Sequence, residues 1–168
     1  MKTYALSFFA LLLSVLLLAG CGKTAQQKEM ETDLNKRIMQ LHDAGMAKVD
    51  QAKAMTAQLD TVLAQHEALA AKFPKAVAGH TSDDINAAKE KLASATSAMQ
   101  SWMAGHKPYD INMKHEEVMS QLNADLQALE KVGAQLDTAI ADATGTIESH
   151  QKFAAEVMAK MPAKKGKK

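Results

Sequence analysis

Cysteine is nearly missing from this chain of 168 residues: Cys21 is the only one. A lone thiol excludes an internal disulfide, and it leaves no thiolate set for a zinc or iron–sulfur centre. Aromatic residues make up only 4%, and beyond the N-terminus there is no run of β-branched residues, so no segment reads as a strand. Prolines are restricted to Pro74, Pro108 and Pro162. Helices can therefore run uninterrupted for long stretches between them. A large charge of one sign is also lacking, since the formal net charge is +1. That balance excludes the broad basic surface on which phosphate backbones are bound, and no nucleic-acid partner is expected.

The one long apolar run is at the start. Lys2 precedes Ala5 to Leu18, broken only by Ser7 and Ser14, which is short for a membrane span and suits a signal-peptide core. It leads into Leu18-Ala19-Gly20-Cys21, which resembles the bacterial lipobox. That resemblance implies a lipoprotein signal peptide over 1–20, cleavage before Cys21 and lipid on its sulfur, with 21–24 as the linker. Two or three acyl chains hold a protein stably on a membrane, where one does not. The expected location is the cell envelope. Gly22 after the cysteine, in place of an aspartate, points to the outer membrane.

Ala, Leu, Met, Gln, Lys and Glu dominate the rest, all good helix formers. The prolines and caps divide it into three helices, at about 25–72, 82–105 and 113–160. The first carries an apolar stripe through Met30, Leu34, Ile38, Leu41, Gly45, Val49, Ala52, Met55, Leu59, Val62, His66, Leu69 and Phe73. Gaps of three and four place these on one face. The second runs through Ile85, Ala88, Leu92, Ala95, Met99, Trp102 and Met103, behind Ser82 and the acidic pair Asp83-Asp84. The third, with Asn112 as its expected cap, runs from His115 and Val118 to Val157 and Met161. The fold expected is all-α, an elongated three-helix bundle over 25–161 with coiled-coil-like packing. The second helix is half as long as the others. Either the third helix overhangs the first, or both bend to close the gap. Residues 162–168, rich in lysine, read as a disordered basic tail able to touch anionic headgroups or cell-wall polymer.

Enzyme motifs fail one by one. His115-Glu116-Glu117-Val118-Met119 begins like the zinc-protease HExxH, but Met119 stands where the second histidine belongs. There is no Glu-x-x-His, no nucleophile elbow and no phosphate loop. The chain reads as non-catalytic, with no cofactor. Histidine and methionine are better represented, at 6 and 11 residues. His42 and Met46 share a helix face, and Met103 and His106 share another. Antiparallel packing and the Pro108 loop would draw His42, Met46, Met103, His106, Met113 and His115 together beside Trp102. Thioethers and imidazoles suit Cu(I) or Ag(I), so an alternative role is a periplasmic soft-metal module. His66 and His150 read as core-edge residues, and His80 as a loop residue without a partner.

Leu41-His42-Asp43-x-x-Met46, and Met99-Gln100-Ser101-Trp102-Met103 before a proline-bearing loop, together with the lipobox, resemble a group of small bacterial lipoproteins of unknown function. These are often labelled viral A-type inclusion protein. The pattern covers most of residues 30 to 150, and the chain departs from it in lacking a proline just after Met46. The resemblance implies an envelope location and a helical bundle, and no activity. The role expected is that of a lipid-anchored structural or binding protein, contacting an envelope protein or itself. In plan it is similar to the murein lipoprotein, with one end in the membrane and a lysine-rich end toward the cell wall.

Overall fold

The computed structural model describes residues 22–110 and 112–160. The signal peptide at 1–20, Cys21 and the basic tail at 162–168 lie outside the described residues. All the regular structure described is helical: α1 (Ala25–Lys72), a single turn α2 (Pro74–Val77), α3 (Asp83–Gly105) and α4 (His115–Ala159). No helix among the described residues is long and apolar enough to cross a membrane.

Local chemistry fixes the ends. Thr24 caps α1 by accepting from the Gln27 backbone N–H at 3.2 Å, and the Gln27 side chain accepts in return from the Thr24 N–H at 2.9 Å. This reciprocal box satisfies two of the donors that a helix start leaves free. Pro74 ends α1 and opens α2 at the position where a missing N–H costs nothing. Residues 74–77, expected as plain loop, thus form one more turn. Ser82 precedes α3 without a side-chain cap; the Asp84 carboxylate accepts from the Ile85 N–H instead, at 2.9 Å. At α4 the cap position is Lys114, whose backbone N–H meets the Glu117 carboxylate at 3.3 Å. Asn112, expected to cap that helix, is committed to a turn with Asp110 at 2.8 and 2.9 Å.

The helix directions follow from cross-helix pairs. Arg37 meets Glu130, Lys48 meets Asp137 and His66 meets His150, so numbers rise together and α1 runs parallel to α4. Asp60 pairs with Lys89, while Gly45 lies against Met99, so α3 runs antiparallel to α1. The α1–α4 interface is the largest in the molecule, and α3 packs against both. Overhang does not reconcile the unequal lengths, because α1 and α4 are level at both ends, at Glu31–His115 and at His66–His150. The return from α3 to α4 is extended at both ends, with His106 at ψ 128° and Lys114 at ψ 149°, and between them the Met113 N–H donates to the Asp110 carbonyl at 3.0 Å. Because extended chain covers about 3.3 Å per residue, α4 can begin level with Glu31, near the start of α1. Tyr109 and Met113 of this return segment pack on the core, and Gln121 donates to the Lys107 carbonyl at 2.7 Å.

The core is narrow. Ile38, Leu59, Ile85, Leu92, Met99, Leu122, Leu129 and Leu136 are its largest fully buried side chains, interleaved with Ala52, Ala88, Ala95, Ala139 and Ala143. Met103, expected in the stripe of the second helix, is 37% exposed; Met30, expected in that of the first, is 47% exposed and its neighbour Glu31 faces inward, 3% exposed. The reason is charge pairing, described below.

Three helix-interior glycines separate propensity from packing. A Cβ at Gly133 or Gly145 would meet nothing, whereas one at Gly45 would meet the terminal methyl of buried Met99. Gly133→Ala and Gly145→Ala should each stabilise the fold by about 0.5–1 kcal/mol, roughly 2–4 °C per kcal/mol in Tm. Gly45→Ala should gain clearly less or destabilise, because Met99 must yield space in a packed core. Thermal and urea denaturation of the three variants will show whether this order holds.

Candidate functional site

Polar side chains gather at three levels of the rod, and each level is assembled by helix register. At the base, the Glu31 carboxylate is buried between two partners. Lys23 Nζ donates to Oε2 at 2.9 Å, and His115 Nδ1 lies 2.9 Å from Oε1. Lys23 also stands 5.9 Å from the centre of the Tyr109 ring. Burial alone would raise the Glu31 carboxyl. Hydrogen bonds from Lys23 and His115, together with their charges, outweigh it and hold the group below its usual 4.5. The network joins the segment before α1, the return segment and the first turn of α4.

The second level is where α3 ends. The Trp102 ring lies 5.7 Å from that of His42 and stacks on His106 at 4.8 Å. Each imidazole has Nδ1 against a carboxylate, His42 with Asp43 and His106 with Asp125, both at 3.0 Å. The Trp102 indole N–H is buried without a hydrogen-bond partner. Met46 packs on the core from the side, and Met103 is 37% exposed.

The third level is the loop end. His66 and His150 are 8% and 6% exposed, with their rings 5.4 Å apart and near-perpendicular. His150 Nε2 lies 2.9 Å from both carboxylate oxygens of Asp84, at the start of α3. His80 stacks on Phe153 at 3.8 Å, and Phe153 in turn lies 6.3 Å from His66. The Nδ1 atoms of His66 and His150 are both buried and unpartnered.

The six residues expected to converge are therefore distributed. His42 and His106 come together at Trp102. His115 is instead bound to Glu31, eleven residues back along α1 from His42, or about 16 Å at 1.5 Å per residue. Met113 packs on the core from the return segment. The extended return accounts for the separation, because it carries α4 past the end of α3 before the helix begins. Among the described residues, no three His, Cys, Asp or Glu side chains are grouped to hold a metal ion.

Three features went unseen in the sequence. Glu31 is absent from the expected stripe, although it continues the seven-residue series Ile38, Gly45, Ala52, Leu59 and His66, all buried. That spacing was the available signal. The His66–His150 contact has its counterpart in α4, where His115, Leu122, Leu129, Leu136, Ala143, His150 and Val157 also recur every seven residues. The stack of His80 on Phe153 had no sequence signal.

The state of Glu31 sets an expectation for acid. A carboxyl held below its unfolded value stabilises the fold above that value, and the contribution disappears as pH falls through the folded one. Stability should thus fall as pH drops below about 4.5. Glu31→Gln should lower stability at neutral pH and flatten that acid limb, as measured by urea midpoints at successive pH values.

Against this geometry, comparison with known proteins adds no relative: no protein family, no curated protein and no solved structure matches the chain.

Proposed function

We propose that this chain is a lipid-anchored protein of the bacterial cell envelope with a structural or protein-binding role and no catalytic one. The observation that supports it most directly is the brevity and attachment of its N-terminal linker. Only Gly22, Lys23 and Thr24 separate Cys21 from the first residue of α1. Lys23 is drawn into the bundle by Glu31, its side chain 10% exposed, and Thr24 caps the helix. A lipid on Cys21 would leave no slack between membrane and body. The body would be a post standing on the bilayer, with α1 alone about 70 Å long at 1.5 Å per residue.

The rest of the surface suits such a post. Arg37–Glu130, Lys53–Asp50 and Lys91–Asp142 are exposed pairs that keep the helix faces wet. Pairs of this kind contribute at most about 1 kcal/mol each. Their use is to hold polar faces that a partner protein, or a second copy, can contact. The outer membrane is the expected anchor, and the basic tail the expected contact with the wall or with anionic lipid.

The reading depends on Cys21. In cells fed a labelled fatty acid, the full chain should incorporate label and fractionate with membranes. Cys21→Ser should abolish the label and shift the protein to the soluble or unprocessed pool. Label retained in Cys21→Ser, or an unlabelled parent chain, would remove the lipoprotein reading. In-cell photocrosslinking from exposed positions of α1 and α4 would then name the partner.

A further inference from the structure

Gly145 has no packing reason to interrupt α4. A Cβ there would meet nothing within 4 Å, so alanine would serve the helix better. The residue instead lines an open hollow of about 450 Å³ between α3 and α4, together with Lys91, Asp142 and Thr146. A second hollow of about 260 Å³, at the loop end, is lined by His80, Thr81, His150 and Phe153. The two adjoin along Asp84 and Ser149, which line both. We infer that this trough, at the loop end of the rod, is a binding site for a neutral glycan chain.

The lining selects the ligand by exclusion. Asp142 is paired with Lys91 at 2.6 Å, and Asp84 meets His150 at 2.9 Å. An anionic ligand would face two carboxylates, and a cationic one would find both already engaged. Anchors for a partner helix are also lacking. Apart from Phe153 the apolar lining is alanine, whereas a docked helix inserts large side chains into a hydrophobic groove. What remains is a row of oxygens, on Thr81, Asp84, Thr146 and Ser149. Hydroxyls donate and accept, and a carboxylate accepts from several donors at once. The complement of such a row is a ligand that carries many hydroxyls and no charge.

The loop end adds an aromatic wall. His80 stacks on Phe153 with ring centres 3.8 Å apart, yet His80 is an exposed residue. One face of its ring is therefore covered and the other is open to a ligand. The C–H face of a pyranose is apolar and packs on a flat ring of this kind, while its hydroxyls reach the polar groups around the edge. Asp142 in one hollow and His150 in the other are about two turns apart on α4, about 12 Å at 1.5 Å per residue. That is the reach of a short oligosaccharide. Gly145 falls between them, where a larger side chain would stand in its path. The trough is at the opposite end of the rod from Gly22, so anchorage at Cys21 would turn it toward the cell wall. That placement rests on the lipoprotein reading; the binding itself does not.

The test is an NMR titration of the full chain, in a detergent without a sugar headgroup, with two neutral tetrasaccharides, chitotetraose and cellotetraose. At least one should bind, with amide shifts gathered around Thr81, Asp84, Gly145 and Ser149. Gly145→Leu should weaken binding at least tenfold and leave the circular dichroism unchanged, since a Cβ there meets nothing. His80→Ala should weaken it several-fold, and His80→Phe should restore it. The control Gly133→Leu, in the groove between α1 and α4, should bind as the parent does. Failure of both tetrasaccharides to bind the parent would overturn the assignment. So would shifts centred elsewhere, full binding in Gly145→Leu, or loss of binding in Gly133→Leu. Should Gly145→Leu not fold, the shift map of the parent still decides. An unlabelled chain in the fatty-acid experiment would leave all these outcomes unchanged, so the two readings fail separately.

Discussion

The parallel seam between α1 and α4 is the constraint from which the rest of the structure follows. Both Glu31–His115 and His66–His150 are separated by the same 84 residues, twelve heptads, although they lie at opposite ends of the rod. At that offset Gly45 is level with Leu129, Ala52 with Leu136 and Leu59 with Ala143. Small residues therefore face large ones along the seam, and all six are buried. Two long helices of similar pattern could slide by one heptad and still match apolar faces. Size alternation resists that slip, because moving α4 by seven residues would set Leu59 against Leu136. The polar ends resist it more strongly, since the same shift would carry His115 away from Glu31 and set it against Ile38. A buried polar position that fixes register at some cost in stability is a known device of coiled coils.

Once α1 and α4 are locked in parallel, the path between them is forced. A parallel pair needs a crossover, and here the crossover is α3 plus the extended return. α3 is too short to span the whole seam, so it covers the upper part and ends at Gly105, just past Trp102. The return segment covers what remains, with Tyr109 and Met113 taking the place of a third helix. The histidines mark the joints of this route. His106 ties the end of α3 to Asp125 on α4, His115 ties the start of α4 to α1, and His150 ties its far end to Asp84 on α3. A histidine facing a carboxylate across each joint gives a rod with a narrow, alanine-rich core its directional contacts, which dispersion alone does not provide.

The helices were legible because their signals are local. Proline at 74 and 108 and a threonine cap are events within one turn of chain, and α1 runs over the residues expected. What depended on long-range packing was not legible. A stripe of gaps of three and four admits Met30 as readily as Glu31, and hydrophobicity alone prefers the methionine. Only the partners Lys23 and His115, one before the helix and one 84 residues on, explain why the carboxylate goes in. Likewise a proline-bearing loop reads as a tight turn, and His115 was expected beside His42. Its actual place depends on how far an irregular segment travels, and no periodicity reports that distance. The joining of His42 and His106 at Trp102 was visible, because it needs only the antiparallel register of α1 and α3.

The two ends of the seam use the same heptad position for opposite electrostatic purposes. At the base the position holds a carboxylate with Lys23 on one oxygen and His115 on the other, so its hydrogen bonds are complete. At the loop end it holds two imidazoles with one carboxylate, leaving two nitrogens unpaired. Apolar residues at His66 and His150 would seal the seam at lower cost, since they would bury no unsatisfied atom. Register alone does not require both histidines, because the base network already distinguishes the native alignment from a one-heptad slip. The second polar pair thus exceeds what the fold needs to be specified.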